Sequence, residues 1–174
     1  MSTGTPFPSP STLVYQLPIF MVFEDTYHYW IHRALHWGPL YKHVHKTHHQ
    51  LAAPFGLAAE YASPIELFIL GLGTGLCPLL WSLCGGEVHL VTLLIWGMLR
   101  VWHSTNSHSG YQFPLSLSSV VPFWASTRHH DMHHENFVGN YASYFAWWDY
   151  FMNTQIDKEA AARKRWQGGW SGKG

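Results

Sequence analysis

The chain has 174 residues, enough for one domain with a buried core, and its length gives no reason to expect two. Ten Lys plus Arg balance ten Asp plus Glu, which excludes the basic footprint of a nucleic-acid-binding protein. Charged residues make up only 11%, against about a quarter in ordinary soluble domains, while 14 histidines outnumber either charge class.

Residues 1–12 are rich in Ser, Thr and Pro and are expected to be a disordered leader. No charge occurs before Glu24, so the basic start of a secretory signal is missing. Val14 to Phe23 reads as a short apolar helix with Pro18 near its start, too short to span a bilayer. In the following EDTYHYWIHR, His28 and His32 are four apart and share a helical face, with Glu24 one turn back and Asp25 three before His28. His45, His48 and His49 of HKTHH fall at i, i+3, i+4, which gathers three imidazoles on one helical face.

Leu67 to Cys84 runs eighteen residues without a formal charge, and its Gly71, Gly73, Gly75 and Pro78 are better tolerated in a membrane helix than in a soluble one. Gly85-Gly86-Glu87 forms a turn, and Val88 to Leu99 is again uncharged. The pair predicts a membrane hairpin over about 65–102. All Lys and Arg lie outside 67–99 and none is in the turn, so both hairpin ends are expected in the cytosol. Cys77 and Cys84 lack metal-binding spacing and read as small buried hydrophobes. Beyond the hairpin, His130, His133 and His134 of HDMHH repeat the i, i+3, i+4 pattern. The polar tail, 157–174, carries Arg163-Lys164-Arg165, suited to solvent or anionic headgroups.

Eight imidazoles in three clusters exceed the four ligands of a structural zinc and fit two metals better. Imidazole alone does not choose among iron, copper, zinc and nickel. A membrane setting favours iron, because an apolar substrate can there meet a metal competent in O2 chemistry. The pattern differs from carboxylate-rich di-iron bundles built on Glu-x-x-His. Glu24, Asp25, Asp131 and Glu135 are the candidates to fix the far ring nitrogens of the ligands.

EDTYHYWIHR, YKHVHKTHH, APFGLAAEYASPIE, HSGY, RHHDMHHENFVGNYAS and WWD together resemble the sterol C4-methyl oxidase branch of the fatty acid hydroxylase superfamily, from about Leu13 to Thr154. The resemblance implies metal ligands at His28, His32, His45, His48, His49, His108, His130, His133 and His134. It implies two irons per chain, O2 as co-substrate, and electrons from NAD(P)H through cytochrome b5 or a reductase. It also implies an endoplasmic reticulum location, a sterol substrate, and work beside other enzymes of sterol C4-demethylation. The reaction implied is stepwise oxidation of the 4α-methyl of a 4,4-dimethylsterol to the carboxylate. Such enzymes normally have further membrane helices upstream of the region matched. Two positions depart from the family pattern: Asn106 stands where an acidic residue is usual, and His103 where histidine is not.

The chain is therefore expected to be an all-α integral membrane helical bundle, its catalytic domain over 13–156 and its histidine-rich di-metal site facing the cytosol. The rivals are a fatty-acyl or sphingolipid hydroxylase or desaturase on the same boxes, and an inactive truncated paralogue that only binds metal. His108 is expected to be a ligand and His103 a bystander, because five residues on a helix turn them about 140° apart. His43 is expected to point away from the metals, and His36 continues the 28/32 stripe.

Overall fold

The structure is a computed structural model that describes residues 3–157. The expected tail lies outside them apart from Asp157. Helix α1 runs Pro10–Leu35 and so begins inside the segment expected to be disordered. Ser9 caps it, its Oγ accepting from the Thr12 amide at 3.1 Å, and Pro10 occupies the first turn, where a missing N–H costs nothing. At 26 residues it is about 39 Å long, and it runs through Pro18 without stopping. The apolar stretch and the EDTYHYWIHR motif are thus one rod.

A single turn, α2 (Gly38–Leu40), leads into a π-helical turn over Tyr41–His45, marked by the Lys46 amide bonding to the Tyr41 carbonyl at 2.8 Å. A 3-10 turn, His48–Gln50, follows. Such wide turns occur mostly at functional sites, and this one sets the phase of the second histidine motif.

Helix α3 (Pro64–Leu83) starts at Ser63, whose Oγ accepts from the Glu66 amide at 3.2 Å, the S-x-x-E signature of a capped helix start. It ends at Cys84, and Gly85 takes the left-handed φ of +85° that lets the chain reverse. Helix α4 (Leu90–Ser107) returns, capped by His89, whose Nδ1 accepts from the Val91 amide at 3.1 Å. Of the described helices only α3 is long and apolar enough to cross a membrane, and most of its surface is exposed. Cys77 is buried as expected, whereas Cys84 is exposed at the turn.

Helix α1 packs along both arms. Gly73 lies flat against the ring of Tyr27, where a Cβ would collide with it, and the Tyr27 hydroxyl donates to the Ile69 carbonyl at 2.9 Å. Trp96 ties α4 to α3 by donating to the Thr74 carbonyl at 2.9 Å. Phe20, Cys77, Val88, Trp96 and Tyr144 form the buried apolar cluster.

The C-terminal third folds back through α5 (Thr127–Asn136) and the short α6 (Trp147–Phe151). Two buried carboxylates hold it. Asp25 of α1 accepts from the Tyr144 and Phe145 amides at 2.7 and 3.0 Å and from the Trp147 indole at 2.9 Å. Asp149 accepts from the Tyr141 and Ala142 amides, both at 2.9 Å, and from Thr154 Oγ1 at 2.7 Å. The described residues are mostly helical, with no strand and a single bridge between Trp124 and Phe145.

Candidate metal centre

Nine histidines converge in two buried groups where the end of α1, the turns over 41–50, the end of α4 and α5 meet. The first group is His32, His36, His45, His49 and His133; the second is His48, His108, His130 and His134. In the first, His45 Nε2 stands 3.2 Å from His32 Nε2, 2.9 Å from His36 Nε2 and 3.0 Å from His49 Nε2, and His133 Nε2 is 3.1 Å from His49 Nε2. In the second, His108 Nε2 lies 3.2 Å from His48 Nε2 and 2.8 Å from His130 Nε2, which is 3.2 Å from His134 Nε2. Two nitrogens about 2.1 Å from one ion and at right angles are about 3.0 Å apart. These spacings match that geometry.

The outer ring nitrogens fix the tautomers and so decide what the inner ones present. His32 Nδ1 faces the Tyr141 carbonyl at 2.9 Å, His133 Nδ1 that of Gly139 at 2.7 Å, His108 Nδ1 that of Ser104 at 2.8 Å and His48 Nδ1 that of Tyr61 at 3.3 Å. A carbonyl only accepts, so each of these rings carries its proton on Nδ1 and presents a lone pair at Nε2. His48 and His108 therefore face each other with two lone pairs. Protonating either would relieve the clash, but burial, and then the neighbouring imidazoles, push the other way: His48 is lowered to about 3, as is His134. Neutral rings with converging lone pairs are the donor set of a metal ion.

The motifs divide between the two groups in a way that one shared helical face does not suggest. His45 and His49 serve the first group, while His48 between them serves the second. His130 and His134 serve the second, while His133 serves the first. Each i, i+4 pair stays together, and the odd member crosses over.

His28 lies outside both groups. Its Nδ1 is 3.4 Å from Arg100 Nη2 and 3.8 Å from Glu24 Oε1, and its ring packs edge-on against His32. The first group instead takes in His36, one turn past His32. Its signal was the i, i+4 spacing to His32, the same as that of His28, so spacing alone could not choose between the two. His108 belongs to the second group. His103 does not: its Nε2 faces the Ser143 carbonyl at 3.1 Å and its ring stacks on Tyr144. His43 is exposed, and His89 caps α4 with its Nε2 on the Gly4 carbonyl at 2.8 Å.

Of the carboxylates expected to steady the ligands, Glu24 is 2.9 Å from Arg100 Nε, and Asp25 holds the C-terminal segment as described. Asp131 and Glu135 are half-buried on α5. Glu66 meets one of the grouped imidazoles, its Oε1 2.7 Å from His45 Nδ1. Asp149 acts one step further out: it accepts from His129 Nε2 at 3.0 Å and fixes the Tyr141 amide, whose residue's carbonyl holds His32. Burial alone would raise the Asp149 carboxyl, but the His129 and Thr154 bonds and the backbone amides hold it below the ordinary range. Sequence reading missed Glu66 although the S-x-x-E start of α3 pointed to it.

A cavity of about 280 Å³ opens beside both groups. His28, His32, His45, His48, His108 and His130 form its inner wall, and Leu67, Leu70 and Gly71 of α3 with Gly97 and Val101 of α4 form its outer wall. Gly71 and Gly97 also line grooves on the exposed faces of α3 and α4. Two residues without side chains are thus shared between the cavity and the exposed apolar faces.

Similarity to known proteins agrees with this geometry. Methylsterol monooxygenase erg25B of Aspergillus fumigatus is 58% identical over 165 residues, 95% of this chain and 56% of that protein. C-4 methylsterol oxidase of Candida albicans is 50% identical over 160 residues, covering 92% and 52%, and methylsterol monooxygenase 1 of Rattus norvegicus 46% over 143, covering 82% and 47%. The chain thus spans about half the length of the curated relatives it matches. No solved structure matches it. The fatty acid hydroxylase family profile matches residues 17–154, the stretch that carries every histidine of both groups, and the chain belongs to that family.

Proposed function

We propose that this chain carries the metal centre of an O2-dependent sterol C4-methyl monooxygenase in sterol biosynthesis. The observation that carries the reading is the cavity that is lined by rings of both histidine groups on one side and by α3 and α4 on the other. The names of its relatives supply the substrate class. Iron, when bound, supplies O2 activation strong enough to attack an unactivated methyl C–H bond; the chain supplies ligands, orientation and a dry wall. His32, His36, His45, His49 and His133 would hold one iron and His48, His108, His130 and His134 the other, with His28 and Arg100 on the cavity wall.

At about 280 Å³ the cavity is below the roughly 300–1,000 Å³ that encloses a drug-sized ligand. A sterol would therefore insert its ring end, with the remainder lying along α3 and α4 in lipid. Electrons would come from NAD(P)H through cytochrome b5 or a reductase. The setting would be the endoplasmic reticulum membrane, with the metals at the cytosolic end of the helical bundle and other C4-demethylation enzymes nearby.

The test is product analysis of the purified chain with an electron donor, supplied in turn with a 4,4-dimethylsterol and with acyl and sphingoid lipids. Sterol hydroxymethyl, aldehyde and carboxylate products are expected. Hydroxylated or desaturated acyl chains would move the assignment to the lipid hydroxylases, and O2-independent metal binding without product would leave only a metal-binding protein.

Two further outcomes are expected. A Gly97→Leu variant should keep both metals, because a Cβ there meets open space, yet lose roughly 10-fold or more in kcat/KM by filling the entrance. Full activity in that variant would rule out this route. For orientation, native Cys84 at the turn should resist an impermeant thiol reagent applied from the cytosol, while cysteine at Gln50 should label. Equal labelling would refute the membrane hairpin.

A further inference from the structure

Glu66 is almost fully buried, and the cap at Ser63 fixes its backbone at the start of α3. One carboxyl oxygen, Oε1, is engaged by His45. The other, Oε2, is buried without a hydrogen-bond partner, on a side chain that lines the cavity beside the metal groups. Leaving a buried acceptor unpaired is costly, so its retention points to a partner that arrives later. The other polar groups of that wall are less suited to this role. Arg100 is engaged by Glu24, Glu60 is exposed, and Thr74 and Ser104 are half-buried.

We infer that Glu66 positions the substrate: Oε2 accepts a hydrogen bond from the hydroxyl of the sterol while Oε1 holds His45. This rests on the sterol reading, and the chemistry of that substrate class fits it. A 4,4-dimethylsterol bears its 3-hydroxyl on the carbon next to the one carrying the methyls to be oxidised. An acceptor on the wall next to a ligand imidazole therefore fixes the methyl near the metals by gripping the neighbouring carbon. Oε1 is turned to the His45 ring, which leaves Oε2 as the oxygen that accepts. A hydroxyl is welcome there, and a ketone oxygen, which can only accept, is repelled.

The test compares equilibrium binding of a 4,4-dimethyl-3-hydroxysterol and its 3-ketone, measured anaerobically so that nothing turns over, in the native chain and in Glu66→Gln. The amide keeps an oxygen for His45 and turns the other position into a donor. The native chain should prefer the alcohol by roughly 10- to 100-fold, the cost of leaving a buried acceptor unpaired. In Glu66→Gln the preference should collapse to near parity or favour the ketone, with metal content unchanged. A merely structural Glu66 would leave the ratio as it was, and that result overturns the assignment. So does equal affinity for alcohol and ketone in the native chain, a measurement that needs no variant. If the native chain binds neither sterol, the sterol reading itself fails and this assignment falls with it.

Discussion

His45→Ala should lower the metal content from two to about one per chain and cut O2-dependent turnover by more than about 100-fold. His45 is the hub of the first group, with three other Nε2 atoms within 3.2 Å of its own, and its outer nitrogen is held by Glu66. Loss of a residue that merely orients a ligand typically costs about 10- to 100-fold in metal affinity or activity, so loss of the ligand at the hub should cost more. His103→Ala is the control. That ring is as deeply buried, but it faces the Ser143 carbonyl and stacks on Tyr144. Metal analysis of anaerobically purified protein decides the matter: both metals kept without His45, or one lost without His103, would sink the proposed ligand set. Zinc can occupy such a site because it binds more tightly than Fe(II), so activity should return only when iron is restored.

Asp149→Ala should destabilise the fold by about 3–5 kcal/mol, the usual cost of stripping one side from a buried charged network. The carboxylate is completely buried and receives four donors: two amides, a threonine hydroxyl and the His129 ring. Alanine strips this partner from the two amides and the His129 ring, while Thr154 keeps the Tyr29 hydroxyl at 2.9 Å. Asp149→Asn should cost less, because one acceptor oxygen survives for the Tyr141 and Thr154 bonds. Denaturant unfolding in detergent compares the three proteins, and an alanine variant within about 0.5 kcal/mol of the native chain would contradict the network. The damage should also reach the metals, since Tyr141 donates its amide to Asp149 and holds His32 through its carbonyl.

The sequence carried the chemistry further than the topology. The HKTHH and HDMHH patterns pointed to clustered imidazoles because i, i+4 rings neighbour one another on any helix, and the pairs 45/49 and 130/134 do share a group. The crossing of His48 and His133 to the opposite group was not legible. It depends on the π-helical turn at 41–45 and on how α5 docks, both of which are tertiary facts. The choice between His28 and His36 was hidden for a similar reason. Both are one turn from His32, and only the placing of Arg100 and Glu24 beside His28 separates them. The hairpin was visible as two uncharged runs with a glycine turn. The length of α1 was not, because Pro18 and the Ser/Thr/Pro-rich start read as breaks, whereas packing against α3 carries the helix through.

The interleaving of the two groups has a consequence for how the protein matures. Each long-range closure is shared: the 45–49 turn and α5 donate rings to both groups, so closing one site also gathers segments that the other needs. On the proposed ligand set, the first ion to arrive would draw in segments that sit more than eighty residues apart in sequence, His49 and His133 among them, and thereby help to arrange the rings of the second site. Uptake should then be positively cooperative, with the half-loaded species scarce at every ion concentration. A cell short of iron would hold a mixture of empty and fully charged molecules, and supply would set the number of competent copies rather than the quality of each.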